Sequence, residues 1–266
     1  MASPGPRNAI SSEPLRLLVV AGRDSSGGAG VDVDLEAARW GGASTAIVVT
    51  AETRQGERGL EELGAREASA WMAEAEEALA GGVDAIKFGL LPGAEHVLAA
   101  AELIKGALGA RPATPVVVDP VLAPTQGGRF LDQAGLEALR EVLLPTGCVI
   151  TPNLDEAAEL TGRAPGSLRE DLEERIAAAQ ALIERGAGGV VLKGGHAEGA
   201  LKDLVCEVGN EPRWLRLERA PGSLRGTGCR HSTWIALGLA RGQGLMEAAT
   251  VAGDWIGSQI KAQSGL

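Results

Sequence analysis

The sequence predicts an α/β protein, a three-layer arrangement with a mainly parallel central sheet, helices on both faces and an antiparallel edge. Three observations lead there. Short apolar runs alternate with longer amphipathic stretches, the βαβα order from which parallel sheets are built. The short runs are almost continuous Val, Leu, Ile and Ala, as strands buried on both faces require. Aromatic residues are scarce, with 5 Trp, 2 Phe and no Tyr among 266 residues, so aliphatic side chains must fill the core.

Leu15–Ala21 reads as the first buried strand. Val31–Trp40 follows as a helix, with Asp32 and Asp34 in its first turn, where the helix dipole favours acids. Ala46–Ala51 is a strand, Glu67–Ala80 an amphipathic helix, and Ala85–Phe88 a short strand. Ala94–Leu108 is a helix that places His96 on its surface, and Pro115–Asp119 a strand. Gln133–Leu143 reads as a helix, and Cys148–Thr151 as a strand stopped by Pro152. Asn153–Leu160 and Leu168–Arg185 are helices, with the strand Gly189–Lys193 after them. Leu201–Val208 and Arg213–Arg219 flank the turn Asn210–Pro212 and suggest an antiparallel hairpin at one edge. Cys229–Ala240 and Leu245–Lys261 are closing helices. Gly56–Gly64 and Pro124–Gly128 read as loops able to close over a site. Residues 1–14 read as a flexible leader without the apolar segment of a signal peptide, and residues 15–266 as a single domain.

A formal net charge of −10 argues against general nucleic-acid binding, which needs a basic face. It leaves room for an anionic small molecule, because a local nest of backbone amides holds phosphate under a negative global charge. No apolar run approaches the roughly 18 residues of a membrane span. The 3 cysteines, Cys148, Cys206 and Cys229, cannot all pair and lack metal-ligand spacing. A reduced, cytoplasmic compartment is the expected setting.

In folds of this class ligands bind at the carboxyl ends of the strands. Asp24, Gln55, Asp119, Asn153, Lys193 and the turn Gly226-Thr227-Gly228-Cys229 all fall there. The turn precedes the apolar run Ser232–Ala240. Its glycines let N–H groups converge at a helix N-terminus, an anion hole for a transferred phosphoryl group. Cys229 at that terminus should have a lowered thiol pKa and could act as a general base. A plain glycine turn with an inert cysteine accounts for the same residues. There is no Gly-Lys-[Ser/Thr] ending, so this is not a Walker-type P-loop.

Asp119 and Glu156 could hold Mg²⁺, which needs only one or two protein carboxylates. Asn153 and Glu156 also have the spacing of a capping box, and both roles can coexist. Lys193 could reach nucleotide phosphates as a point charge, or simply be solvated. The strand–turn–helix from Gly22 to Gly30 could fold over a small ring, with Asp24 accepting a hydrogen bond. The amide of Gln55 offers a donor and an acceptor side by side, which suits an aminopyrimidine edge. His196 reads as a turn residue.

Together these motifs resemble the ribokinase-like superfamily and, within it, the hydroxymethylpyrimidine/phosphomethylpyrimidine kinases. The resemblance runs from about Leu15 to Ile260. It is carried by Ala21-Gly22-Arg23-Asp24-Ser25-Ser26-Gly27-Gly28-Ala29-Gly30, Asp34-Leu35, Lys87-Phe88-Gly89-Leu90-Leu91 and Val118-Asp119-Pro120-Val121. It continues through Thr151-Pro152-Asn153-Leu154-Asp155-Glu156-Ala157, Lys193-Gly194-Gly195-His196 and Gly226-Thr227-Gly228-Cys229. The resemblance implies a ribokinase-like fold and ATP-dependent phosphorylation of 4-amino-5-hydroxymethyl-2-methylpyrimidine and its monophosphate in thiamin biosynthesis. It implies that Gly22, Asp24 and Gln55 meet the pyrimidine, with Leu90 and Val121 lining its pocket. Lys193, Asn153 and Thr227 would contact ATP, Asp119 and Glu156 would face Mg²⁺, and Cys229 would stand where the wider superfamily carries an aspartate base. A homodimer is usual in this group.

The chain departs from the family around Gln55, where Arg54 precedes it, and around the anion turn, where Arg225, Arg230 and His231 appear. The three arginines could bind a substrate phosphate as forked donors, or be solvated. A pyridoxal kinase or another small-alcohol kinase of the superfamily, and a non-catalytic pyrimidine-binding protein, are the alternatives.

Overall fold

A computed structural model describes residues 14–56, 59–124, 127–194, 201–217 and 222–264. Most of the expected leader, and the Gly195-His196 pair, lie outside the described residues. The strands are β1 (Arg16–Asp24), β2 (Ser44–Gly56), β3 (Gly59–Ala65), β4 (Ala85–Phe88), β5 (Val116–Val118), β6 (Val149–Ile150), β7 (Gly189–Leu192), β8 (Leu201–Glu207) and β9 (Arg213–Leu217). They form one sheet in the order β3-β2-β1-β4-β5-β6-β7-β8-β9. From β2 to β7 all neighbours are parallel, while β3, β8 and β9 run antiparallel at the two edges. The sheet is mainly parallel with antiparallel edges, as the sequence predicts.

The helices are α1 (Val31–Trp40), α2 (Ala68–Ala80), α3 (Ala94–Ala110), α4 (Gln133–Ala138), α5 (Leu154–Thr161), α6 (Ser167–Glu170), α7 (Leu172–Glu184), α8 (Thr227–Ala240) and α9 (Leu245–Gln263). Successive side chains of β1 alternate between the two faces, as the strand repeat dictates. Leu17 and Val19 pack under α1, α8 and α9, against Val31, Ile235 and Ala248. Leu18 and Val20 pack on the opposite face with Trp71, Ile104 and Leu182 of α2, α3 and α7. Two apolar layers thus sandwich the sheet, and the ends of the parallel strands are left to carry polar groups.

Three differences from the sequence reading are instructive. The expected loop Gly56–Gly64 contains β3, which pairs with residues 51–56 of β2. Its glutamates are tolerated because an edge strand keeps one side in water. Leu60 and Leu63 of this hairpin pack with Leu90, Val121 and Phe130, so it roofs the strand ends. The helix expected over 133–143 passes into a π turn at Leu139–Leu143, and the one over 168–185 is broken at Asp171. There the Asp171 side chain accepts the amides of Glu173 and Glu174 and caps a new helix.

His96 is fully buried rather than on the helix surface, because its Nδ1 accepts a hydrogen bond from Trp71 Nε1 at 2.9 Å. Burial pushes its pKa down, so the ring stays neutral as an acceptor must. Trp71→Ala should remove that bond, leave a cavity, and lower the unfolding free energy by about 3–5 kcal/mol. A urea denaturation midpoint close to that of the unaltered protein would contradict this placement of α2.

Candidate active site

The anion turn sits at the start of α8. Gly226 caps it in the left-handed region, with φ 69° and ψ 22°. A side chain there would meet the Gly28 carbonyl at 2.8 Å, so only glycine fits without strain. Among the described residues no carbonyl and no side chain accepts the amides of Thr227, Gly228 or Cys229. These are the unpaired donors that every helix N-terminus carries. Here they coincide with the positive end of the α8 dipole and form an anion site.

The turn faces charged side chains from the strand ends. A Cβ on Gly228 would lie 3.2 Å from Lys193 Nζ and 3.4 Å from Asp119 Oδ2. Lys193 Nζ donates to Asp119 Oδ1 at 2.9 Å, and the Thr151 hydroxyl donates to the same oxygen. Lys193 is therefore paired and mostly buried rather than a free strand-end cation. Burial alone would push Asp119 up, yet Lys193 and Lys87 hold its carboxyl below the ordinary range. Burial alone would push Lys193 down, yet Asp119 and Glu156 hold it above its usual value.

The capping box is present at α5. Asn153 Oδ1 accepts the Glu156 amide and Glu156 Oε2 accepts the Asn153 amide, both at 2.8 Å. Burial raises the Glu156 carboxyl to about 7. Its second oxygen is left for the cleft, where Asp119, Asn153, Glu156, Lys193 and the anion turn form one wall. The cleft measures about 1180 Å³.

A second, small cavity of about 50 Å³ adjoins it. Its lining includes Gly22, Asp24, Gln55, Leu90, Val121 and Cys229, so the five residues expected to meet the substrate and the expected base are brought together. Gly22 presses against Leu90, with room for no side chain between them. The oxygens of Asp24 are largely taken: they accept the amide and hydroxyl of Ser26 and pair with Arg225 at 3.1 Å. Asp24 thus shapes the glycine-rich turn as well as lining the cavity. Ala29, Gln55, Val121, Phe130 and Cys229 line both compartments.

The expected acidification of Cys229 is overturned. Burial pushes the thiol up to about 11, opposed by the charge of Lys87 and by a hydrogen bond from the Gly30 amide. Desolvation of a thiolate outweighs the helix dipole, which acts over a single turn. The arginines also separate. Arg54 pairs with Glu61 and Glu62 on β3. Arg230 is buried and pairs with Glu36 at 2.6 Å. Arg225 stands at the rim, bonded to Asp24 and Ser26.

Among the cavity-lining residues not assigned roles from the sequence are Lys87 and Phe130. Lys87 is fully buried, donates to Asp34 Oδ2 at 2.7 Å and lines the small cavity. The available signal was a lysine inside the otherwise apolar strand Ala-Ile-Lys-Phe. No helix among the described residues is long and apolar enough to cross a membrane.

Comparison with known proteins agrees with this geometry. The family model described as phosphomethylpyrimidine kinase matches residues 24–266. The chain is similar to the hydroxymethylpyrimidine/phosphomethylpyrimidine kinase of Streptomyces coelicolor, with 38% identity covering 94% of this chain and 90% of that one. Among solved structures it is similar to pyridoxal kinase of Staphylococcus aureus in complex with pyridoxal, with TM-score 0.82 and 28% identity over 94% of this chain and 89% of that one. The same enzyme has been solved with ADP. Phosphomethylpyrimidine kinase of Clostridium difficile gives TM-score 0.76 and 27% identity over 93% of this chain and all of that one. On its sequence, its sheet and the residues gathered at the strand ends, the chain belongs to the phosphomethylpyrimidine kinase family.

Proposed function

We propose that the enzyme transfers a phosphoryl group from ATP to the hydroxyl of 4-amino-5-hydroxymethyl-2-methylpyrimidine, and then to the resulting monophosphate, in thiamin biosynthesis. The observation that carries this reading is the shared wall between the two compartments. Cys229 and Gln55 line both the small cavity that suits the ring and the cleft that suits the nucleotide. A hydroxyl held by the first would face a phosphate held by the second.

Phosphoryl transfer requires positioning and charge neutralisation more than covalent chemistry. The amides of Thr227, Gly228 and Cys229 supply donors where negative charge gathers on the transferred group. Lys193 supplies a cation, held in place by Asp119. Asp119 and Glu156 suit Mg²⁺. Two buried carboxylates are available, and among the described residues no group of three or more His, Cys, Asp or Glu side chains forms an all-protein cage. Mg²⁺, which keeps several waters, needs no more. Bound there, the metal would neutralise phosphate charge.

Cys229, as thiolate, accepts the hydroxyl proton as the new oxygen–phosphorus bond forms and the bond to the leaving ADP breaks. The proton passes to solvent when the site opens. Gln55 orients the ring through paired donor and acceptor. The proposal includes a homodimer and a cytoplasmic setting, the latter supported by free thiols at Cys148, Cys206 and Cys229.

The reading is tested by ADP release with the pyrimidine alcohol, its monophosphate and pyridoxal side by side. Preferred turnover of the two pyrimidines is expected. Preference for pyridoxal would replace this reading with the alternative that the Staphylococcus aureus structure represents.

Cys229→Ala should cut turnover by about 10²-fold or more, the usual scale for losing a general base. Because the resting thiol titrates near 11, kcat/KM should rise with pH through the neutral range. A flat profile, or near-normal turnover of the alanine variant, would reject the base role. Glu156 must be ionised to face a cation, and its carboxyl titrates near 7. The Mg²⁺ concentration giving half-maximal rate should therefore climb as pH falls through that value, and Glu156→Gln should flatten the dependence. An unchanged requirement across this range would remove Glu156 from the metal site.

A further inference from the structure

A buried charge pair, Lys87 with Asp34, lies against the small cavity, and the proposed function gives it no role. Lys87 lies on β4, near the middle of the sheet, and its side chain is 0% exposed. Its ammonium donates to Asp34 Oδ2 on α1 at 2.7 Å. Asp34 Oδ1 accepts the Thr233 hydroxyl on α8 at 2.9 Å. Thr233 lies four residues after Cys229, on the same face of the helix, so the chain Thr233–Asp34–Lys87 runs along the column that carries the thiol. It ties together the helix that follows the glycine-rich turn and the helix that begins at the anion turn.

A buried ion pair is a poor way to gain stability, because desolvating two charges costs about as much as their attraction returns. Its place offers a better reason. Lys87, Gly30 and Cys229 line the same small cavity, and a Cβ on Gly89 would come within 3.0 Å of the ammonium. Lys87 has the aliphatic layer on one side and the cavity on the other.

We propose that Lys87 is a positioning residue for catalysis, a fixed cation that faces Cys229 across the cavity and stabilises its thiolate. Asp34 and Thr233 aim it. This rests on the reading of Cys229 as the base. The other groups facing the thiol are Asp34 from α1, Asp119 after β5 and Lys193 after β7, with the Gly30 amide donating to it. Asp24 lines the same cavity and is paired with Arg225. Burial would push the Lys87 ammonium down, but Asp34, Cys229 and Asp119 hold it above its ordinary value.

The assignment makes two predictions of opposite sign. In Asp34→Asn the carboxylate that repels the thiolate is gone, while Lys87 keeps Asp119 and the forming thiolate as counter-charges, so the thiolate should form more readily. In the double variant Asp34→Asn with Lys87→Met both charges go together, leaving no orphan ion in the interior, and the thiolate should form less readily. The readout is the pH midpoint of iodoacetamide alkylation at Cys229, followed by peptide mass spectrometry to separate it from Cys148 and Cys206. Relative to the unaltered enzyme, the midpoint should fall in the single variant and rise in the double one. The two should differ by about one pH unit or more, the scale of a nearby charge.

Thermal melting of both variants reports folding separately, and a purely structural role would change melting without moving the midpoints apart. Coincident midpoints in all three proteins would overturn the assignment. Normal turnover of Cys229→Ala would instead remove the base reading and leave the electrostatic coupling standing, so the two failures are distinguishable.

Discussion

Everything at this site depends on three backbone amides at the start of α8 that have no partner among the described residues. Any helix leaves such donors, and most are turned to water or capped by a side chain. Here the cap is Gly226, which has no side chain to offer, and the turn is brought against Lys193 and Asp119 instead. The result is a recess presenting unpaired N–H donors in a protein whose formal charge is −10. A net charge describes solubility and long-range steering, whereas phosphate is held by local dipoles.

The same recess explains why so many ions around it are buried and paired. Asp119 with Lys193, and Asp34 with Lys87, each place a cation at a strand end and fix it with a carboxylate. A lone buried lysine would tend to lose its proton. Pairing keeps both charged, and the strands and helices of two layers hold them at set positions. The Cys229 thiol is the contrasting case, a group with no counter-ion of its own and therefore dependent on its neighbours for ionisation.

Much of this was legible in the sequence because the signals were local. The apolar runs Leu15–Ala21 and Ala85–Phe88 marked strands, and Asn153 with Glu156 marked a cap at the correct residues. The residues assigned to the substrate and nucleotide fell at strand ends and line two adjoining compartments. What remained hidden came from tertiary contact. β3 has two glycines and two glutamates and little intrinsic strand preference; its partner β2 makes it a strand. Lys87 stood out as a charge in an apolar run, but its partner Asp34 lies 53 residues away. The helix-start position of Cys229 pointed to a lowered pKa, and burial, which no spacing reveals, reversed it. Arg230 reads as a surface residue until Glu36 is found beside it.

The most direct measurement is a crystal structure with ADP, magnesium, fluoroaluminate and the pyrimidine alcohol, where the planar fluoroaluminate marks the position of the transferred phosphoryl group. The account predicts its fluorines within hydrogen-bond distance, about 3 Å, of the amides of Thr227, Gly228 and Cys229, between the nucleotide and the hydroxyl. Fluoroaluminate bound elsewhere, with those amides facing only water, would contradict it.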